Sequence, residues 1–77
     1  MSLRALAWVL SDDRRARRFL DLTGLTPVVL RAGIGDREIQ LSVLDFLCAH
    51  EPDLVAAAES LEIEPAAIAA AREELAR

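Results

Sequence analysis

Apolar residues recur at helical spacing along this chain, and no stretch shows the strict alternation of a half-buried strand. Three prolines and three glycines cut that pattern into short pieces. A chain punctuated in this way can bury its apolar faces only by stacking short helices, so the expected fold class is all-α. Spacing predicts a first helix over Leu3–Leu10, with Ser2 as N-cap and Leu3, Leu6 and Leu10 on one face. Ser11 is placed to cap a second helix, with Asp12 and Asp13 in its first turn and Ala16, Phe19, Leu20 and Thr23 along its inward stripe. Gly24 suits the left-handed position after that helix, followed by an apolar Leu25. Thr26-Pro27 reads as the N-cap and first residue of a short third helix.

Gly33-Ile34-Gly35 breaks the chain and is the expected hinge between two halves. Asp36 caps a fourth helix that runs to about Ala49. It is apolar on most sides, with only Glu38, Ser42, Asp45 and Ala49 left for a wet stripe. Pro52 opens a fifth helix ending near Leu61. Glu64-Pro65 opens a sixth, striped by Ile68, Ala71 and Leu75.

The breaks fall in a pattern. Leu25-Thr26-Pro27-Val28-Val29-Leu30-Arg31-Ala32 is echoed 38 residues later by Ile63-Glu64-Pro65-Ala66-Ala67-Ile68-Ala69-Ala70. The same offset sets Leu6, Trp8 and Val9 against Leu44, Phe46 and Leu47, and Asp21 against Glu59. Self-similarity of large apolar anchors and prolines is the mark of a repeated supersecondary unit. The reading is one small domain over residues 1–77, about six short helices in two pseudo-repeated tri-helical halves, 1–35 and 36–77. Each half carries helix–turn–helix spacing, at Leu20, Gly24 and Leu30 and at Ala58, Glu62 and Ile68, where Glu62 replaces the usual turn glycine.

Composition narrows what such a domain can be. Apolar residues make up 53% of the chain, too many for disorder, but 14 of them are alanine and bury little area each. The core of a 77-residue chain is therefore modest, and association with a second copy is a natural way to add to it. A lone Cys48 makes an intrachain disulfide impossible. No stretch approaches the roughly 20 apolar residues of a membrane span, and the apolar start ends at Ser11-Asp12-Asp13 without the cleavage pattern of a secretory signal. A cytoplasmic location is expected.

All nine basic residues are arginine, and they are unevenly placed: residues 1–38 carry a net +2 and residues 39–77 a net −6. Arg14, Arg15, Arg17 and Arg18 form the sharpest charge cluster. Guanidinium groups suit phosphate, but Asp13 and Asp21 stand four residues to either side of Arg17, so local ion pairs on a solvated face account for the run as well. An acidic chain with only Arg31 on the helix that would read bases lacks the footprint of a DNA-binding domain, so nucleic acid is the disfavoured partner.

Cys48, His50, Glu51 and Asp53 lie close in sequence, but a structural metal site needs a second ligand pair that the chain does not have. Cys48 reads as a core residue and His50 as a surface residue near a helix C-terminus. No phosphate loop or convincing catalytic spacing is present, so no catalytic, metal or cofactor site is assigned and the chain is not expected to be an enzyme. Trp8 is expected in the core against its repeat equivalent Phe46, with an interface hot spot as the alternative.

Several runs, Ala5-Leu6-Ala7-Trp8-Val9-Leu10-Ser11-Asp12, Arg18-Phe19-Leu20-Asp21-Leu22-Thr23-Gly24-Leu25, Gly35-Asp36 and Val43-Leu44-Asp45-Phe46-Leu47, give the chain a resemblance over nearly its whole length. It resembles a family of small alphaproteobacterial proteins designated a domain of unknown function. The resemblance implies an all-helical body and bacterial origin, and brings no functional residues with it.

The expected function is a non-catalytic protein-interaction module, with an unknown protein or a second copy as partner. A helix–turn–helix-derived nucleic-acid binder or transcriptional accessory is the alternative. The candidate contact residues are Trp8, the cluster Arg14, Arg15, Arg17 and Arg18, and Leu41 on the apolar fourth helix. Basic residues 14–18 and the acidic fifth and sixth helices are expected to pair, within one chain or between two.

Overall fold

The computed structural model describes residues 2–33 and 35–77, and these are helical or in turns. Six α-helices are present among the described residues: α1 (Ser2–Leu10), α2 (Asp13–Thr23), α3 (Pro27–Ala32), α4 (Arg37–Cys48), α5 (Glu51–Leu61) and α6 (Pro65–Ala76). The all-helical expectation holds. The body measures 31 × 29 × 18 Å, so its shortest dimension is under two helix diameters of about 10–12 Å. In so thin a body one helix must be shared by the rest. That helix is α4, which packs against α1, α2, α5 and α6. Its residues Ile39, Val43, Leu44, Phe46 and Leu47 are all buried, as its nearly all-round apolar sequence requires. Phe19 of α2 meets Phe46 edge to face, with centroids 5.3 Å apart and planes at 79°.

Local sequence explains most helix ends. Gly24 takes φ 73°, and its N–H donates to Leu20 O at 2.9 Å, closing α2. Thr26 caps α3 by accepting from the Val29 N–H, with Pro27 in the first turn. Asp36 caps α4 through the Glu38 N–H. At the end of α5 the left-handed position falls to a non-glycine residue, Glu62, at φ 58°. Its N–H reaches Glu59 O at 3.2 Å and the next N–H, of Ile63, reaches Ala58 O at 2.9 Å, a complete Schellman closure. Two arginines tie other helix ends: Arg4 donates to Leu61 O at the end of α5, and Arg37 donates to Leu75 O and Arg77 O at the end of α6.

Several expectations are corrected. Ser2 is the first helical residue of α1, not its cap. The buried face of α1 is Ala5, Leu6 and Val9. Leu3 and Leu10 flank Leu6 on the same side of α1, but burial there is confined to Leu6, and they remain 53% and 40% exposed. Ser11 does not cap α2. Its hydroxyl donates back to Trp8 O at 2.6 Å, and Asp12, one residue nearer the helix, accepts from the Arg15 N–H instead. Trp8 does not meet Phe46, since Phe19 holds that place. Trp8 lies one residue, about 100° around the helix, from buried Val9 and is only half-buried.

Ile34, the centre of the expected hinge, lies outside the described residues. Gly33 on its N-terminal side is tightly packed: a Cβ there would stand 2.5 Å from Ile39 Cδ1.

Candidate functional site

The arginine cluster does not form a single surface. A helix turns 100° per residue, so four arginines within five positions must point to different sides. Arg15 folds inward over α1. Its guanidinium carbon sits 3.5 Å from the Trp8 ring centroid, and Nη2 donates to Trp8 O at 2.6 Å and to Ser11 Oγ at 3.0 Å. Asp12 is 3.9 Å away on the open side. Trp8 is therefore a half-buried platform covered by Arg15.

Arg18 reaches across to α5, where it pairs with Asp53, and its guanidinium lies 5.2 Å from the Phe46 centroid. Only Arg14 and Arg17 keep to the outer face. The expected pairs of Arg17 with Asp13 and Asp21 do not form within 4.0 Å among the described residues, although all of these residues border one shallow depression. The pairing of basic α2 with the acidic second half exists as one intrachain contact, Arg18 with Asp53.

Arg18 also lines a cleft of about 590 Å³ between α2 and α4. Arg18, Leu22, Thr23, Ser42, Asp45, Phe46, Ala49 and His50 line it. Its polar groups are already engaged. Thr23 Oγ1 donates to Phe19 O and Ser42 Oγ to Glu38 O, each within its own helix. His50 Nδ1 lies 3.1 Å from the same Asp53 oxygen that Arg18 holds, and Asp45 is paired with Arg72.

His50 sits where α4 gives way to α5, at the N-cap position of α5, without a side-chain capping bond. Cys48 is half-buried against the core and faces Asp45 and Arg72. Burial raises its thiol pKa above the ordinary value, with the Arg72 cation opposing and the Asp45 carboxylate adding to the rise. No group of three or more His, Cys, Asp or Glu residues placed to hold a metal is found among the described residues.

A second depression, about 300 Å³, lies between α1, α2 and α3. It is lined by Leu6, Leu10, Leu20, Pro27, Leu30 and a single charged residue, Arg31. Among the described residues, the large apolar side chains left exposed are Leu3, Leu10, Leu22, Val28, Val29 and Val55, and five of those six belong to α1–α3. Sequence reasoning placed Leu3, Leu6 and Leu10 together but missed Leu20, Pro27, Leu30 and Arg31 as parts of one groove. The available signal was the brevity of α3, six residues long, which leaves much of α1 uncovered. Leu41, expected as a contact residue, is half-buried on α4 and lines neither depression.

No helix among the described residues is long and apolar enough to cross a membrane. A family model described as a protein of unknown function, DUF3572, matches residues 1–77, and the chain belongs to that family. No curated protein and no solved structure matches the chain.

Proposed function

We propose that this chain is a small, non-catalytic, cytoplasmic protein-interaction module built from two pseudo-repeated tri-helical halves, and that it binds through the α1–α3 face of the first half. The observation that carries this reading is an apolar groove lined by Leu6, Leu10, Leu20, Pro27 and Leu30, on helices that also leave Leu3, Val28 and Val29 exposed. A chain with so small a core gains by burying such residues unless they serve a contact. The paired state of every charged group in the larger cleft speaks for a structural role there.

The two-halves reading is supported by register. Helices α2 and α5 run Asp13–Thr23 and Glu51–Leu61, offset by 38 residues at both ends; α3 and α6 begin at Pro27 and Pro65; α1 and α4 end at Leu10 and Cys48. Burial repeats at the same offset. Ala5, Leu6, Val9, Phe19 and Leu30 are buried, and so are Val43, Leu44, Leu47, Ala57 and Ile68. The left-handed residues Gly24 and Glu62 also correspond.

The test is a tagged pull-down from the native cell, with and without nuclease, comparing the wild type with a Leu3→Gln/Leu10→Gln variant. A stoichiometric protein partner that survives nuclease and is lost with the variant is the expected result. A partner held equally by the variant overturns the assigned face. Partners lost only on nuclease treatment favour the nucleic-acid reading, which rests on Arg14, Arg17 and Arg31 lying outward on α2 and α3.

A further inference from the structure

Resting on the two-halves reading above, we infer that the α1–α3 groove is the seat of one amphipathic α-helix from a partner protein, carrying a carboxylate opposite Arg31. The second half of the molecule shows what such a groove looks like when filled. There α6 starts at Pro65 and continues for 12 residues along α4, burying Ile68 and packing Ala71 and Leu75 against the core. Alanine at 67 and 71 lets the two helix backbones approach closely, and α4 and α6 are the most extensively packed pair in the fold. In the first half the corresponding helix starts at the corresponding proline, Pro27, but stops after 6 residues at Ala32. It makes no comparably extensive contact with any other helix.

Nothing among the described residues does for α1 what residues 71–76 do for α4. The consequence is legible position by position. Leu41 and Cys48 on α4 are half-buried, whereas their equivalents on α1, Leu3 and Leu10, are 53% and 40% exposed. The unfilled space, about 300 Å³, has Leu6, Leu10, Leu20, Pro27 and Leu30 as its walls. A helix with small or branched apolar residues at i, i+3 and i+7, the spacing of Ile68, Ala71 and Leu75, matches it.

Charge selects among helices of that shape. The groove's single charged lining group is the Arg31 guanidinium, which has no ion pair within 4.0 Å among the described residues. A carboxylate on the docking helix would neutralise Arg31. The occupant is therefore an acidic amphipathic helix of another protein.

The test uses the full chain, ¹⁵N-labelled, and two hydrocarbon-stapled peptides. One has the sequence of residues 65–77 with the residues matching Arg72 and Arg77 changed to alanine, so that Glu73 and Glu74 leave it acidic; the other has those two glutamates changed to lysine as well. Expected are dose-dependent amide shifts at Leu6, Leu10, Leu20, Leu30 and Arg31 with the acidic peptide. It should bind roughly fivefold or more tightly than the lysine peptide at low salt, with the gap closing as salt screens it. Arg31→Glu should reverse the preference. Leu3→Gln/Leu10→Gln, at exposed positions, should abolish the shifts while leaving the rest of the spectrum in place.

Four results overturn the inference: no shifts with either peptide, equal binding of both at low salt, shifts mapping instead to α4 and α5 by displacement of α6, or the same groove shifts on raising protein concentration alone. The last would make a second copy the occupant. An interaction partner that a pull-down captures without perturbing this groove would leave the interaction-module reading standing and remove only the groove.

Discussion

Glu62 and Gly24 occupy the same place in two helix ends, and that equivalence yields a prediction of opposite signs. Both residues are left-handed, at φ 58° and φ 73°. For a residue with a Cβ this conformation costs about 1–2 kcal/mol, and for glycine nothing. Glu62 is exposed, and among the described residues its side chain makes no hydrogen bond or ion pair, so Glu62→Gly forfeits no side-chain contact. The Schellman bonds at this end are made by backbone N–H groups and survive. Against the relieved strain stands the greater freedom of glycine in the unfolded chain, about 0.4–1 kcal/mol. The net expectation is a stabilisation of about 0.5–1 kcal/mol. In a domain of this size 1 kcal/mol moves Tm by about 4–8 °C, so Tm should rise by roughly 2–8 °C.

Gly24→Ala is the mirror. A Cβ at Gly24 would meet nothing within 4 Å, so its whole effect is conformational. It should destabilise by about 1 kcal/mol, lowering Tm by roughly 4–8 °C. Thermal unfolding followed by circular dichroism at 222 nm reads both. A Glu62→Gly variant that melts at or below the wild type would refute the reasoning, as would a Gly24→Ala variant that melts no lower.

Three further outcomes follow from buried and half-buried groups. Phe19→Ala removes a fully buried ring packed edge to face against Phe46 and should cost about 3–5 kcal/mol, a large part of the roughly 4–12 kcal/mol expected of a 77-residue domain. Urea titration should show the variant largely unfolded in, or close to, water. Arg15→Ala uncovers the Trp8 indole and gives up a cation–π contact worth about 0.5–2 kcal/mol; Trp8 emission should shift to longer wavelength and become more accessible to acrylamide. Unchanged quenching would show that Arg15 does not shield the ring in solution. Burial raises the Cys48 pKa in the folded chain, so the folded state holds this proton more tightly than the unfolded one. Its contribution to stability is full below the ordinary thiol value of about 8.5 and is lost as pH rises through the folded value. The midpoint of iodoacetamide labelling against pH should lie above that of a cysteine peptide, and Arg72→Ala should move it higher still by removing the opposing cation; a midpoint at or below the peptide's contradicts the assignment.

The parts of this fold that were legible in the sequence are those fixed by one or two neighbouring residues. Thr26-Pro27, Asp36 and Gly24 act through their own dihedral angles and short hydrogen bonds, so the helix ends they set could be read without knowing what packs where. The all-round apolar character of α4 likewise forced it to the centre. What escaped were choices between near-equal local options. Ser11 and Asp12 can each cap α2, and the decision goes to Asp12 because Ser11 is engaged with Trp8 O and Arg15. Asp13, Asp53 and Asp21 were all potential partners for the arginines. Arg18 found Asp53, 35 residues away, because α2 and α5 both pack on α4, a fact of tertiary arrangement that no i, i+4 rule contains. The groove was hidden for the same reason. Each of its lining residues looked like ordinary core on its own helix.

On the two-halves reading proposed above, the asymmetry between residues 1–35 and 36–77 links the groove to the composition. The first half has bulky Val28, Val29 and Leu30 where the second has Ala66, Ala67 and Ile68. Alanine lets α6 lie close on α4, while the valines at the matching positions of α3 remain 73% and 50% exposed. Gly33 then stops α3 at the point where α6 continues, and its close approach to Ile39 leaves no room for a side chain. A chain selected only for stability would extend α3 and bury Leu3 and Leu10, since each of these half-exposed leucines forgoes about half of the roughly 1.5–3 kcal/mol of full burial. Retaining a short helix, two valines and an uncovered leucine face on the basic half, while the acidic half is closed by its alanine-rich helix, is the arrangement expected if the first half keeps its groove open for an acidic helix from elsewhere.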